Sequence, residues 1–101
     1  MNTVNNQESE TIIKAYFKHG INGKLAIFPR KERKRLVILR QLSSRFIPNH
    51  NYTEQEVNAI LSMAHHDHVT LRRNLVEYGF VERLPDGSKY WLNTDKLLLQ
   101  D

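Results

Sequence analysis

The chain has no cysteine among its 101 residues, which excludes a disulfide-stapled scaffold and any thiolate metal or redox chemistry. That absence suits a reducing compartment, and the expected location is the cytoplasm. Long apolar runs are missing as well. The longest, Leu36 to Leu39 and Leu97 to Leu99, fall far short of the roughly 20 residues a membrane-crossing helix needs. The opening MNTVNNQESE has neither the basic nor the apolar stretch of a secretory leader, so neither export nor membrane association is expected. Glycine is scarce, and all four glycines stand at turns or helix stops, leaving none for a loop that cradles phosphate. There is no G-x-S-x-G and no cysteine nucleophile, so no constellation for covalent catalysis is offered. The expectation is a chain that is not an enzyme and carries no cofactor. Internal repeats, low-complexity segments and linkers are also lacking.

With 40% hydrophobic and 26% charged residues, the composition fits one small globular domain over residues 1–101, with 1–8 and 95–101 frayed. The net charge of +4 is unevenly spread. Residues 1–23 hold two basic and two acidic groups, residues 24–46 hold eight basic groups against Glu32, and residues 47–101 hold five basic against eight acidic groups. The segment balances are therefore zero, +7 and −3. The basic surface precedes the C-terminal half, and the mildly acidic balance of that half counts against a simple nucleic-acid reading.

The most structured stretch is Asp67 to Trp91, DHVTLRRNLVEYGFVERLPDGSKYW, an amphipathic helix running straight into a β-hairpin. Asp67 can accept from an unpaired N–H of the first turn, and Gly79 suits the left-handed position just past the helix end. At 100° per residue, His68, Leu71, Leu75 and Tyr78 form an inward stripe, with Val69, Thr70, Arg73 and Glu77 opposite. Phe80 to Leu84 and Ser88 to Leu92 are the strands, turning at Asp86-Gly87. A two-residue turn there and a three-residue turn including Pro85 put Trp91 on opposite faces, so its burial stays open.

Upstream, Ile12, Ile13, Tyr16 and Phe17 mark a helix near 9–18, opened by Ser9 and closed by His19-Gly20. Leu25 to Phe28 has the composition of a short strand. Pro29 suits the first position of a helix over 30–46, with Leu36, Ile38, Leu39, Leu42 and Phe46 on one side and Arg33, Val37, Arg40 and Ser44 on the other. Thr53-Glu54-Gln55-Glu56 is a capping box opening a helix over 53–64, whose narrow stripe is Val57, Ile60, Leu61 and Ala64. The predicted class is α+β: a mostly helical winged helix-turn-helix with a C-terminal hairpin wing and an extra N-terminal helix. Leu39, Leu61, Leu71 and Leu75 are expected to share one core.

YTEQEVNAIL, LRRNLVEYGFVER and the hairpin ending in Tyr90 resemble the winged-helix transcription regulators. More closely, FPRKERKRLVILRQLSSRF, YTEQEVNAIL, HDHVTLRRNLVEYGFVER and DGSKYW are similar to the bacterial domain-of-unknown-function family numbered 2087. The resemblance covers Phe17 to Trp91 and implies a part in transcription regulation. One departure matters. Seven residues before Gly79, where winged helices usually carry a buried leucine, stands Arg72. A guanidinium at the edge of an apolar stripe needs an acidic partner, and Glu56 and Asp67 are the candidates.

The site residues that follow are Arg73, Val69 and Thr70 for base contacts in a major groove, against the plainer reading of an Arg73–Glu77 surface pair. Arg30, Lys31, Arg33 and Lys34 at the basic helix start, with His66, are the expected phosphate contacts, against a merely solvated charged end. Lys89, with Arg83, is the wing contact, against a charged hairpin edge that blocks strand association. His65-His66-Asp67-His68 lacks a third metal ligand at a recognised spacing, so packing, capping or phosphate contact is expected there and metal is not. The expected partner is double-stranded DNA. The alternative is an interaction module binding a protein partner or a second copy of the chain as a homodimer.

Overall fold

The computed structural model describes residues 6–98; the expectations for residues 1–5 and 99–101 lie outside them. Four helices come first: α1 (Asn6–Tyr16), α2 (Glu32–Ser43), α3 (Glu54–Ser62) and α4 (His68–Glu77). An antiparallel hairpin of β1 (Val81–Arg83) and β2 (Tyr90–Leu92) follows, and α5 (Thr94–Leu98) closes the described chain. α1 packs on α2, α3 on α4, and α2 on α4, so α2 lies between the N-terminal helix and the C-terminal half. This is an α+β fold with a winged-helix-like layout. No helix among the described residues is long and apolar enough to cross a membrane.

The best-defined starts are those with side-chain caps. Thr53 accepts from the Glu56 N–H at 3.1 Å while Glu56 accepts from the Thr53 N–H at 2.8 Å, completing the capping box of α3. Asp67 accepts from the Thr70 N–H at 3.3 Å and from its hydroxyl at 2.8 Å, fixing the start of α4. At the other end Gly79 has φ +82, which lets Phe80 N–H reach back to the Leu75 carbonyl at 2.9 Å and turns the chain into β1.

The inward faces of these helices meet in one core. Leu39, Leu61, Leu71 and Leu75 are all fully buried in it, joined by Ile38, Leu42, Val57, Phe80 and Tyr90. The hairpin pairs Val81 with Leu92, Glu82 with Trp91 and Arg83 with Tyr90, a register symmetric about Asp86-Gly87. Pro85 to Ser88 form the loop, closed by Leu84 N–H to the Lys89 carbonyl at 3.0 Å. Tyr90 therefore points inward and Trp91 outward, where its indole N–H donates to Glu82 at 3.1 Å. Tyr52 bonds Tyr90 through both backbone groups at 2.8 Å, adding a one-residue third member to the sheet.

Several expectations are corrected. Leu25 to Phe28 is not a strand: Leu25 N–H goes to the Ala64 carbonyl at 2.7 Å and Ala26 N–H to the Tyr16 carbonyl at 2.9 Å, two unrelated helix ends that cannot form a ladder. The second helix starts at Glu32, not beside Pro29; Lys31 sits at its cap, a side chain with no acceptor, and the Pro29 carbonyl instead takes the Arg35 Nε–H at 2.6 Å. Val37, assigned to the outer side of that helix, is buried, because α2 has α1 on one flank and α4 on the other. The first helix begins at Asn6, ahead of Ser9, and Thr94–Leu98 is helical.

Candidate nucleic-acid interface

The outward face of α4 carries Val69, Thr70, Arg73 and Glu77, as its periodicity requires. Arg73 and Glu77 are exposed, and neither makes a hydrogen bond or ion pair among the described residues, so the i to i+4 pairing does not form. Arg73 thus presents all its donors to solvent. Thr70 is more constrained. Its hydroxyl proton is given to Asp67 and its carbonyl takes the Asn74 amide at 2.8 Å, which leaves the hydroxyl only its acceptor capacity. The Thr70 hydroxyl and backbone N–H, both donating to Asp67 and helped by the neighbouring histidines, hold the Asp67 carboxyl below the usual carboxylate range.

Arg72 turns the other way. Its side chain is 15% exposed, its Nη1 donates to Asn58 Oδ1, and it lies 3.8 Å from a carboxylate oxygen of Glu54. The partner is therefore neither Glu56 nor Asp67, because each of those carboxylates is already committed to a helix cap. Glu54 also accepts from the Tyr90 hydroxyl at 3.0 Å. α4, α3 and the hairpin are thereby joined through one polar cluster. Burial and the adjacent Glu54 push the Tyr90 phenol up from its ordinary value, so it stays a donor.

The start of α2 borders this face. Tyr78 donates to Glu32 at 3.3 Å and Arg35 Nη1 to Asn74 Oδ1 at 3.4 Å, laying the first turn of α2 against the Asn74–Tyr78 edge of α4. Arg73 is the residue before Asn74, about 100° further around the helix. Along RKERKR the basic groups divide. Arg30 and Lys31 are exposed without a partner among the described residues, whereas Arg33 bonds Glu8 of α1 at 2.7 Å and Lys34 lies 5.9 Å from the Tyr16 ring centre. Arg35 is structural, held by Pro29 and Asn74 and stacked 4.7 Å from the Phe28 ring centre.

Other charges of the +7 segment are structural too. Arg45 donates to the Ile21 and Gly23 carbonyls, pinning the loop after α1, and its burial lowers its pKa. Arg40 lies over Phe80. On the wing, Arg83 folds back onto the Leu84 and Pro85 carbonyls at 3.1 and 2.8 Å, while Lys89 extends freely among the described residues. His66 is exposed and stacks on His65, with ring centres 4.4 Å apart. No group of three or more His, Cys, Asp or Glu side chains placed to hold a metal occurs among the described residues.

Sequence reasoning missed Asn58, Asn74 and Glu54, the polar partners that separate structural arginines from free ones. Asparagines inside amphipathic helices, one turn from an arginine on a facing helix, were the available signal. Lys24, which lies beside the two histidines in a cleft, was also missed; no spacing in the chain links residues so far apart.

Residues 24–92 match the model of a family described as an uncharacterized protein conserved in bacteria, DUF2087. No curated protein and no solved structure matches the chain.

Proposed function

Taking as premise that the chain belongs to the bacterial DUF2087 family, we propose that it is a winged-helix DNA-binding domain acting in transcription regulation. The reading places α4 in a major groove, the start of α2 on the backbone, and the hairpin as a wing. The single observation that carries it is the contrast on α4: Arg72 is tied inward while Arg73 stands exposed and unpaired, one residue before the Asn74 that bonds Arg35 of α2. An arginine so placed can pair bidentately with guanine, and Val69 and Thr70 one turn back supply a methyl contact and an acceptor. Arg30, Lys31, Lys34, His66 and Lys89 are the phosphate contacts in this reading. Arg33 joins them only if it leaves Glu8.

Phosphate contacts supply affinity and base contacts supply discrimination, so the two sets separate by experiment. Replacing Arg30 and Lys31 together should weaken binding to every duplex and flatten the salt dependence by about 2, at roughly 0.9 per lost phosphate contact. Titration of the wild type against random duplex at two salt concentrations is the first test. No binding even at low salt would rule the reading out.

One observation favours a protein-binding module as the second reading. Ile21, Ile27, Ile47 and Met63 are large apolar side chains exposed by 47 to 69%. That reading expects weak duplex binding of any kind and a dimer or partner signal that survives moderate salt.

A further inference from the structure

Between the loop at 24–26 and the end of α3 lies a cleft of about 220 Å³, lined by Lys24, Leu25, Ala26, Ser62, Ala64, His65 and His66. We propose that it binds one phosphate-type oxyanion through Lys24, His65 and His66. Where that phosphate belongs to a DNA backbone, the inference rests on the DNA reading above; where it is free phosphate, it does not.

The donor inventory carries the argument. Lys24 makes no hydrogen bond or ion pair among the described residues, and its ammonium offers three donors and no acceptor. His65 accepts the Asp67 N–H on Nδ1 at 3.1 Å, so in its neutral form the ring proton is fixed on Nε2. The His66 ring stacks on it at an interplanar angle of 27°, bringing a second imidazole into the same wall. Ser62 contributes no donor, since its hydroxyl donates to the Ala59 carbonyl at 2.9 Å. No carboxylate lines the cleft. A cation would meet Lys24 and find no anionic ligand, whereas an oxyanion meets donors on two walls.

Size and shape narrow the class. The volume lies below the roughly 300–1,000 Å³ of ordinary small-molecule pockets, so one compact group fits and a large cofactor does not. One tetrahedral phosphate can accept from the Lys24 ammonium and from an imidazole N–H together. The first turn of α4 is not needed for this, because Asp67 already caps it. The charged and titratable groups facing His65 are Lys24 from the loop and His66 and Asp67 from the turn; α3 brings only uncharged Ser62 to the cleft, and Ala64, just past the end of α3, is uncharged too. Burial and His66 lower the His65 pKa and Asp67 opposes them. A second proton on the ring would have to go to Nδ1, which already accepts the Asp67 N–H, so His65 serves the oxyanion as a neutral Nε2–H donor.

The test uses the full chain, with histidine-ring NMR signals followed during titration with inorganic phosphate and, separately, with a short random duplex. Chloride at matched ionic strength is the control. Saturable shifts of His65 and His66 are expected with phosphate, weakened about 3–10-fold in Lys24→Gln. An unchanged melting temperature would show that this exposed substitution leaves the fold intact. Shifts with free phosphate but no duplex binding support the site and sink the DNA reading. Shifts with the duplex, reduced in Lys24→Gln, support both. Duplex binding with the two rings unmoved, and no response to phosphate, would overturn the site and leave the DNA reading standing. Shifts that Lys24→Gln does not weaken would overturn it equally.

Discussion

Arg72 and Arg73 are the same side chain in adjacent positions, yet their surroundings assign them opposite duties. Arg72 holds Asn58 and sits 3.8 Å from Glu54, a carboxylate whose side chain is 48% exposed, so solvent screens part of that attraction. Arg72→Ala is expected to lower stability by about 1–3 kcal/mol in chemical denaturation, with discrimination among duplexes unchanged. Arg73→Ala should do the reverse: a stability change within about 0.5 kcal/mol and a loss of discrimination of about 1–3 kcal/mol. If both substitutions weaken stability alike, Arg73 is structural and the proposed reading face is wrong. Asp67 gives a pH counterpart. Its folded-state pKa lies below its unfolded value, so the stability it supplies is complete above the ordinary aspartate pKa of about 3.9 and is lost as pH falls through the folded value. Asp67→Asn keeps a capping oxygen without that titration, and its thermal midpoint should fall less steeply on acidification than the wild type's.

Helix starts show why some of this architecture could be read from the chain and some could not. A capping box is local chemistry, complete within four residues, and the start of α3 lies where Thr53 and Glu56 put it. Thr53→Ala should therefore cost about 0.5–2 kcal/mol, measured by denaturant midpoint, and a smaller loss would mean that tertiary packing alone holds the helix start. The turn at Gly79 and the inward stripe of α4 are equally local. The start of α2 has no such device, since Lys31 cannot cap, and its position depends on Arg35 and Pro29 meeting in the folded chain. Leu25 to Phe28 has strand composition, but a strand needs a neighbouring strand, and the distant carbonyls of Ala64 and Tyr16 took its N–H groups instead. Val37 went inward because a helix flanked twice has no fully outer side, which its own periodicity cannot reveal. Of the candidate site, the outward position of Arg73 was legible from periodicity; the commitment of Arg33 to Glu8 and the cleft around Lys24 depend on contacts between segments remote in sequence.

Because α4 serves both the core and the proposed contact face, stability and binding are coupled through one element. Leu71 and Leu75 are fully buried on one side of the helix, and Arg73 is exposed on the other. A chain of 101 residues buries a modest share of its surface, and small domains are stable by only about 5–15 kcal/mol. Leu75 lies in the same cluster as Leu39 of α2, Leu61 of α3 and Tyr90 of β2, so a void there is felt by helices and hairpin together. Leu75→Ala is expected to cost about 2–5 kcal/mol, the spread reflecting how far neighbours relax into the space. If the domain unfolds as one unit, helical and tryptophan signals should shift to the same lower denaturant midpoint. Duplex affinity should fall only in proportion to the unfolded fraction, because the substitution leaves the outward face untouched. A loss below about 1 kcal/mol would mean that the stripe beneath α4 is not the core that orients Arg73. A loss of affinity well beyond the unfolded fraction would mean instead that α4 shifts when its inner face is hollowed, and that the contact face depends on core packing as well as on exposure.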